Sequence, residues 1–258
     1  MVSLDRAGLD LDAREIAVDV SDMTRRNGLT WWLLLAGLLG PIILTLAWLA
    51  AGHLQEGADA RRGSISDLGA GTASKAWLWN APLTVGGVLI AAFALGLYRT
   101  LRPGRVSTIG APLIAIFGIG LALEGALFQL DCRETVPACK DRSSYSWQHS
   151  AHEIESGVGF LALLVAIALL ALRFRREPSL RSLWLYSLMT AAAFVVLLLA
   201  SGASEDSDWE GLVQRLLVTL LLAWIAVIAF RLARRIPAAQ DPAEPLAAGS
   251  ALEPPRSR

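Results

Sequence analysis

The chain has 258 residues, of which 54% are hydrophobic and only 18% charged, and its mean hydropathy of +0.49 excludes an ordinary water-soluble globule. Basic and acidic residues number 23 each, so the formal net charge is zero and carries no message about partners; nucleic acid is not among those expected. What informs is where the charges lie: they are confined almost wholly to segments between six long apolar runs.

Residues 1–28 mix Asp5, Asp10, Asp12, Glu15, Asp19 and Asp22 with Arg6 and Arg14 around poorly spaced apolar residues, a pattern of disorder or at most a short surface helix. The apolar runs follow at 29–53, 77–101, 109–130, 156–172, 180–201 and 211–230. Each is about the 20 residues that cross ~30 Å of hydrocarbon as helix. Backbone in lipid must satisfy its own hydrogen bonds, so the expectation is an all-α polytopic membrane protein, a bundle of six transmembrane helices over residues 29–235. The first run is longer than the apolar core of a secretory signal and follows an acidic leader, which points to a retained helix.

Arginines recur on one side of that alternation, at Arg25 and Arg26, Arg99 to Arg105, Arg173 to Arg181 and Arg231 to Arg235, while Arg61, Arg62, Lys75, Arg133, Lys140 and Arg142 on the other side are fewer and mixed with acids. The positive-inside rule makes the first side cytoplasmic, with both termini inside. Arginine greatly outnumbers lysine, which suggests a high-GC bacterial source and a plasma membrane location. Residues 236–258, with prolines scattered among small residues, read as a disordered cytoplasmic tail.

The predicted outer side collects the polar chemistry. The loop GADARRGSISDLGAGTASKAWLWN sets Ser64, Ser66 and Asp67 together, either as turn and helix-capping residues or as hydrolase groups, although no G-x-S-x-G elbow surrounds them. In the third run, Glu124 and Asp131 are spaced i, i+7, which puts them ~10 Å apart on one helical stripe. Glu124 is the deepest carboxylate, and Arg215 at similar depth in the sixth run is its expected partner, with Gln214 in the same network. Cys132 and Cys139 close a loop of about eight residues; outside the cytoplasm that spacing suits a disulfide contributing roughly 2 to 3 kcal/mol, with zinc shared with histidines as the competing reading. The fourth helix opens with WQHSAHEIES, where His149, His152 and Ser156 share a face, with Glu153 and Glu155 beside it, suited to metal binding, acid–base work or a polar boundary, and His53 or Asp131 is a further ligand. Trp77, Trp79, Trp147 and Trp209 fit an interfacial aromatic belt.

The segments ARRGSISDLGAG with AWLWNAPLTVGGVLIAAFALGLYRTL, His152 with Phe160 eight residues later, and GLVQRLLVTLLLAWIAVIAFRLAR resemble a bacterial membrane family catalogued as domain of unknown function 998. The likeness runs from about Leu29 to Arg235 and implies a compact bundle of about six helices with no established activity. It places Ser64, Ser66, Asp67, Asp131, His152, Gln214 and Arg215 on what look like the family's recurrent polar positions, whereas CRETVPAC and His149 look like elaborations. A looser similarity, in composition at one membrane face only, is to alkaline ceramidase-like hydrolases; helix count and motif order differ.

Three functions follow as expectations. One is a binding protein whose outward polar pocket, including Glu124, Gln214 and Arg215, holds a lipid headgroup or small amphiphile, or that regulates a protein partner in the envelope. Another is an envelope-facing hydrolase or transferase with His152 as base, Asp131 orienting it, Ser66 or Asp67 and His149 assisting, and Arg215 holding an anionic headgroup. The third is a small transporter using Glu124 and Arg215. No cofactor is required by these residues, zinc being the one candidate.

Overall fold

A computed structural model describes residues 6–101, 105–133, 136, 139, 145–204 and 207–236, with side chains from residue 27 onward except at 102–107. Six α-helices are formed: α1 (Arg6–Leu54), α2 (Trp77–Leu101), α3 (Arg105–Ala126), α4 (Trp147–Arg176), α5 (Arg181–Ala203) and α6 (Glu210–Ala233). No strand occurs among the described residues. All six contain a stretch long and apolar enough to span a bilayer, so the all-α, six-span architecture expected from hydropathy is the one observed. Thr30–Arg235 forms one compact unit. The flanking segments are grouped apart from it; helix α1 begins at Arg6, ahead of its apolar run, and the tail from 237 lies outside the described residues.

The end of α3 differs from the sequence reading, the start of α4 agrees with it, and both bear on function. Helix α3 stops at Ala126 instead of Leu130: the amides of Leu127 and Phe128 both donate to Leu123 O, and the carbonyl of Leu130 accepts from Gly71 of the loop between α1 and α2. Asp131 therefore lies beyond the helix, and the stripe shared with Glu124 does not exist. Helix α4 starts at Trp147, nine residues ahead of the apolar run, because its first turns are amphipathic in the sense a membrane demands. Trp147 and Ile154 are 65% and 69% exposed, while His149 and His152 face inward at 1% and 7%. Ser146 caps this helix, its Oγ accepting from His149 N at 3.2 Å.

Helices adjacent in sequence pack against one another, and α6 returns to touch α2, so α2 to α6 close a ring. Lipid supplies no hydrophobic drive between helices, and close backbone approach through small residues replaces it. At the α2–α3 crossing a Cβ on Gly118 would lie 2.6 Å from Ala91 N and 2.8 Å from Gly87 O. Helix α1 lays Leu44 over Gly86 and Leu33 over Gly96 of α2. Deeper in the ring Trp224 is fully buried and donates from Nε1 to Ser187 Oγ at 3.0 Å, leaving no orphan indole. Outward, α5 presents Leu188, Met189, Val196 and Leu199, the apolar surface that hydrocarbon covers.

Gly118→Leu is expected to destabilise the bundle by roughly 1 to 3 kcal/mol or to prevent assembly, since backbone cannot yield at the crossing. Gly157→Leu should be neutral, a Cβ there meeting nothing within 4 Å. Thermal unfolding in detergent separates the two; equal midpoints would show that the close crossing is not needed.

Candidate functional site

The loop of residues 55–76 turns in over one end of the bundle instead of standing off it. Its centre, SISDLG, is buried apart from a half-buried Ser66, and includes the short 3-10 turn Ser66–Gly69. Such backbone requires partners at membrane depth, and the neighbouring helices provide them. Gln55 Nε2 donates to Leu68 O at 2.7 Å, Asn80 Nδ2 to Gly69 O at 3.0 Å, and Ile65 N to Gln214 Oε1 at 2.5 Å. Arg215 Nη1 donates to Ala60 O (2.9 Å), Gly63 O (2.7 Å) and Gly211 O (2.9 Å). The guanidinium also lies 5.8 Å from the Trp48 ring, and Asp67 and Asp59 supply the negative charge acting on it. Ser64 Oγ accepts from Asp67 N at 3.1 Å, so the turn is stabilised by Ser64 and not by a cap from Ser66 or Asp67. At the surface of the loop the Asp59 carboxyl is held below its usual range, chiefly by the amide of Arg61.

Beneath this roof lies a cavity of about 560 Å³, within the size of small-molecule sites. Helix α3 contributes Phe117, Leu121 and Glu124; α4 contributes His152, Glu153, Glu155, Ser156, Gly159 and Phe160. Helix α6 adds Glu210, Gln214, Val218 and Leu221, the roof adds Ser64, Ile65 and Ser66, and the end of α5 adds Ser201 and Gly202. Polar groups gather near the roof, and Phe117 and Phe160 form an apolar floor that continues to Phe194, with centroid distances of 6.2 and 6.1 Å.

On the α3–α4 wall, Glu124 is 6% exposed and accepts from Ser156 Oγ at 2.5 Å. Its carboxyl group lies beside that of Glu155. Gly120 and Gly159 make this possible: the Glu155 carboxylate occupies the space a Cβ at Gly120 would need and approaches within 3.2 Å of one at Gly159. Glu155 Oε2 is buried without a hydrogen-bond partner. His152 Nδ1 lies 2.8 Å from Phe128 O; a carbonyl only accepts, so Nδ1 carries hydrogen and the neutral ring keeps its lone pair on Nε2.

Several expected partnerships are absent. Glu124 pairs with Ser156 and Glu155, and Arg215 with loop carbonyls, so the predicted Glu124–Arg215 pair is not made. Nor does Asp131 orient His152. Its carboxylate accepts from Ser146 N and Ser146 Oγ, both at 2.6 Å, and these donors, the hydroxyl first, hold its pKa below the usual value. His149, stacked on Tyr145 at 3.6 Å, accepts at Nδ1 from Asp131 N and has Nε2 3.7 Å from Glu153. This assembly fastens the chain after α3 to the start of α4. Cys132 and Cys139, in that connection, stand at disulfide distance with Cα atoms 5.9 Å apart. His53 is exposed, and among the described residues no three His, Cys, Asp or Glu side chains gather at metal-ligand spacing. Of the candidate residues, Ser66, Glu124, His152 and Gln214 line the cavity; Asp67, Asp131, His149 and Arg215 do not. The residue that sequence reasoning placed beside the histidine face without giving it a role is Glu155. Its signal was available: it precedes Ser156 on a helix whose apolar neighbours Ile154 and Val158 mark the lipid face.

Arg215→Met should release the roof, with a loss of roughly 2 to 4 kcal/mol and faster proteolysis within residues 55–76, because buried carbonyls lose their donor. Arg215→Lys should restore part of the protection; an unchanged cleavage rate in Arg215→Met would show that the roof is held elsewhere. Asp131 acts in the acid range: with its folded pKa depressed, its contribution is complete above the ordinary carboxyl value and is lost as pH falls through the folded one. Being 36% exposed, it should contribute less than about 1 kcal/mol. Asp131→Asn is expected to flatten the fall in thermal midpoint between pH 5 and pH 3, both values being on the order of the range where a carboxylate titrates.

Comparison with known proteins gives a family match and nothing else: no curated protein and no solved structure matches the chain. The matching model covers residues 38–231, from within α1 to the last turn of α6, and so takes in the roof, the cavity and the acidic wall. This six-span membrane protein belongs to the family described as "Protein of unknown function (DUF998)".

Proposed function

We propose that the protein binds a lipid headgroup or small amphiphile in the roofed cavity, with the roof on the outer face of a bacterial plasma membrane and both termini in the cytoplasm. The observation that carries this reading is the polarity gradient of one cavity: carboxyl, imidazole and hydroxyl groups under the roof, phenyl rings at the floor. A molecule with a polar head and an apolar body satisfies both ends at once. The arginines at the far end of the bundle and the cysteine pair beside the roof support the orientation.

The alternatives draw less support. For a hydrolase, Ser66 and His152 share the cavity, but Asp131, the group expected to orient the histidine, is committed to Ser146. For a transporter, a polar route would have to continue past the phenyl floor. The polar groups beyond it are engaged, Ser187 by Trp224 and Thr190 by Tyr186 O at 2.9 Å.

Gly202 lines the cavity and a Cβ there meets nothing within 4 Å, so Gly202→Phe adds a ring at the lining without displacing backbone. Native mass spectrometry of gently solubilised protein should find a retained amphiphile on the unmodified chain and a several-fold lower occupancy on Gly202→Phe. Equal occupancy in the two, or none in either, would contradict the assignment.

A further inference from the structure

We infer that the cavity recognises an amphiphile whose head bears a hydroxyl group, through His152 of α4 and Gln214 of α6. The inference rests on the binding reading above and specifies its ligand. Both side chains line the cavity, and each has one end fixed by a backbone group of known polarity. A carbonyl only accepts, so His152 Nδ1, 2.8 Å from Phe128 O, carries hydrogen, and in the neutral ring Nε2 is the acceptor. A backbone N–H only donates, so the Gln214 atom that meets Ile65 N is the amide oxygen, and the amide NH2 is the other branch. Each wall therefore has a set polarity: an imidazole acceptor on α4 and an amide donor on α6.

His152 is only 7% exposed, and among the described residues neither its Nε2 nor the Gln214 NH2 has a hydrogen-bond partner. Polar atoms left without a partner at membrane depth are costly, so a ligand that supplies both is favoured. A hydroxyl group does so, donating through its hydrogen and accepting through its oxygen. Other heads fail one wall or the other. An ammonium has no acceptor for the amide, while a carboxylate or an ether has no donor for the imidazole. The apolar chain of the same molecule is met by Phe117 and Phe160 at the floor. Fatty alcohols and neutral lipids with a free hydroxyl share this chemistry.

Substitution separates the two walls. Gln214→Glu keeps an oxygen for Ile65 N and removes the amide donor. His152→Phe keeps a ring on α4 and removes the Nε2 acceptor. Octanol and methyl heptyl ether are isomers, equal in atoms and differing in whether the oxygen carries a hydrogen, so the pair isolates the donor that His152 requires.

Isothermal titration of full-length protein in an amine oxide detergent, which carries no hydroxyl, reads this at about pH 8, where an ordinary imidazole is neutral. Affinities are corrected for partition into empty micelles. Octanol should bind at least about tenfold more tightly than methyl heptyl ether, and more tightly than octylamine or octanoate. His152→Phe should bind both isomers equally, and Gln214→Glu should weaken octanol several-fold. Equal affinities for the isomers on the unmodified chain, tighter binding of octylamine or octanoate, or an alcohol preference that survives in His152→Phe overturns the inference and leaves amphiphile binding intact. Unchanged octanol affinity in Gln214→Glu overturns the role given to Gln214. Propanol binding as tightly as octanol overturns the amphiphile reading and supports a small free alcohol as the ligand. No binding of any eight-carbon compound overturns both. Should His152→Phe fail to fold, the isomer pair on the unmodified chain decides the question alone.

Discussion

One guanidinium holds the site together. Arg215 carries its charge into the bundle and places Nη1 against three backbone carbonyls, two of them in the loop after α1 and one a turn back on its own helix. Irregular backbone persists at this depth only where donors and acceptors are matched by protein, and Arg215, Gln214, Asn80 and Gln55 do the matching. With the loop so pinned, the space below it becomes a roofed chamber; without it, the acids of α3 and α4 would face an open vestibule. The SISDLG and GLVQR segments are thus two halves of one contact, the first offering backbone and the second the side chains that hold it.

The second constraint is the inverted amphipathicity of α4. Its opening turns put Trp147, Ile154 and Val158 toward lipid and His149, His152 and Glu155 toward protein, and glycines on α3 and α4 provide the room that the Glu155 side chain needs. A charge in such a position is expensive, and here the Glu155 carboxyl lies beside that of Glu124.

How much of this was legible in the sequence follows from which forces act locally. Six apolar runs of spanning length require helices, and they are found. Helix ends were less accessible, because hydropathy counts composition and not direction: the polar opening WQHSAHEIES was readable as the start of α4 from its histidine face, but the capture of Leu130 O by Gly71 ended α3 before its apolar run did. Pairing was the least accessible. Glu124 and Arg215 stand at similar depths, but depth does not say which helices face each other, and the ring order puts α4 beside α3. The nearer acid on α4 became the partner, and the arginine turned to the loop. Likewise Asp131, once outside the helix, met the cap of α4 instead of His152.

The central claim is that a molecule from the membrane occupies the chamber beneath the roof. Its most direct test is photolabelling in native membranes with a long-chain alcohol carrying a diazirine on its chain, followed by mapping of the labelled residues. Labels concentrated on the cavity walls, in particular Phe117, Phe160 and Leu221, are the predicted result. Labels confined to lipid-facing positions of α5 such as Met189 and Val196, with the walls unmarked, would contradict it.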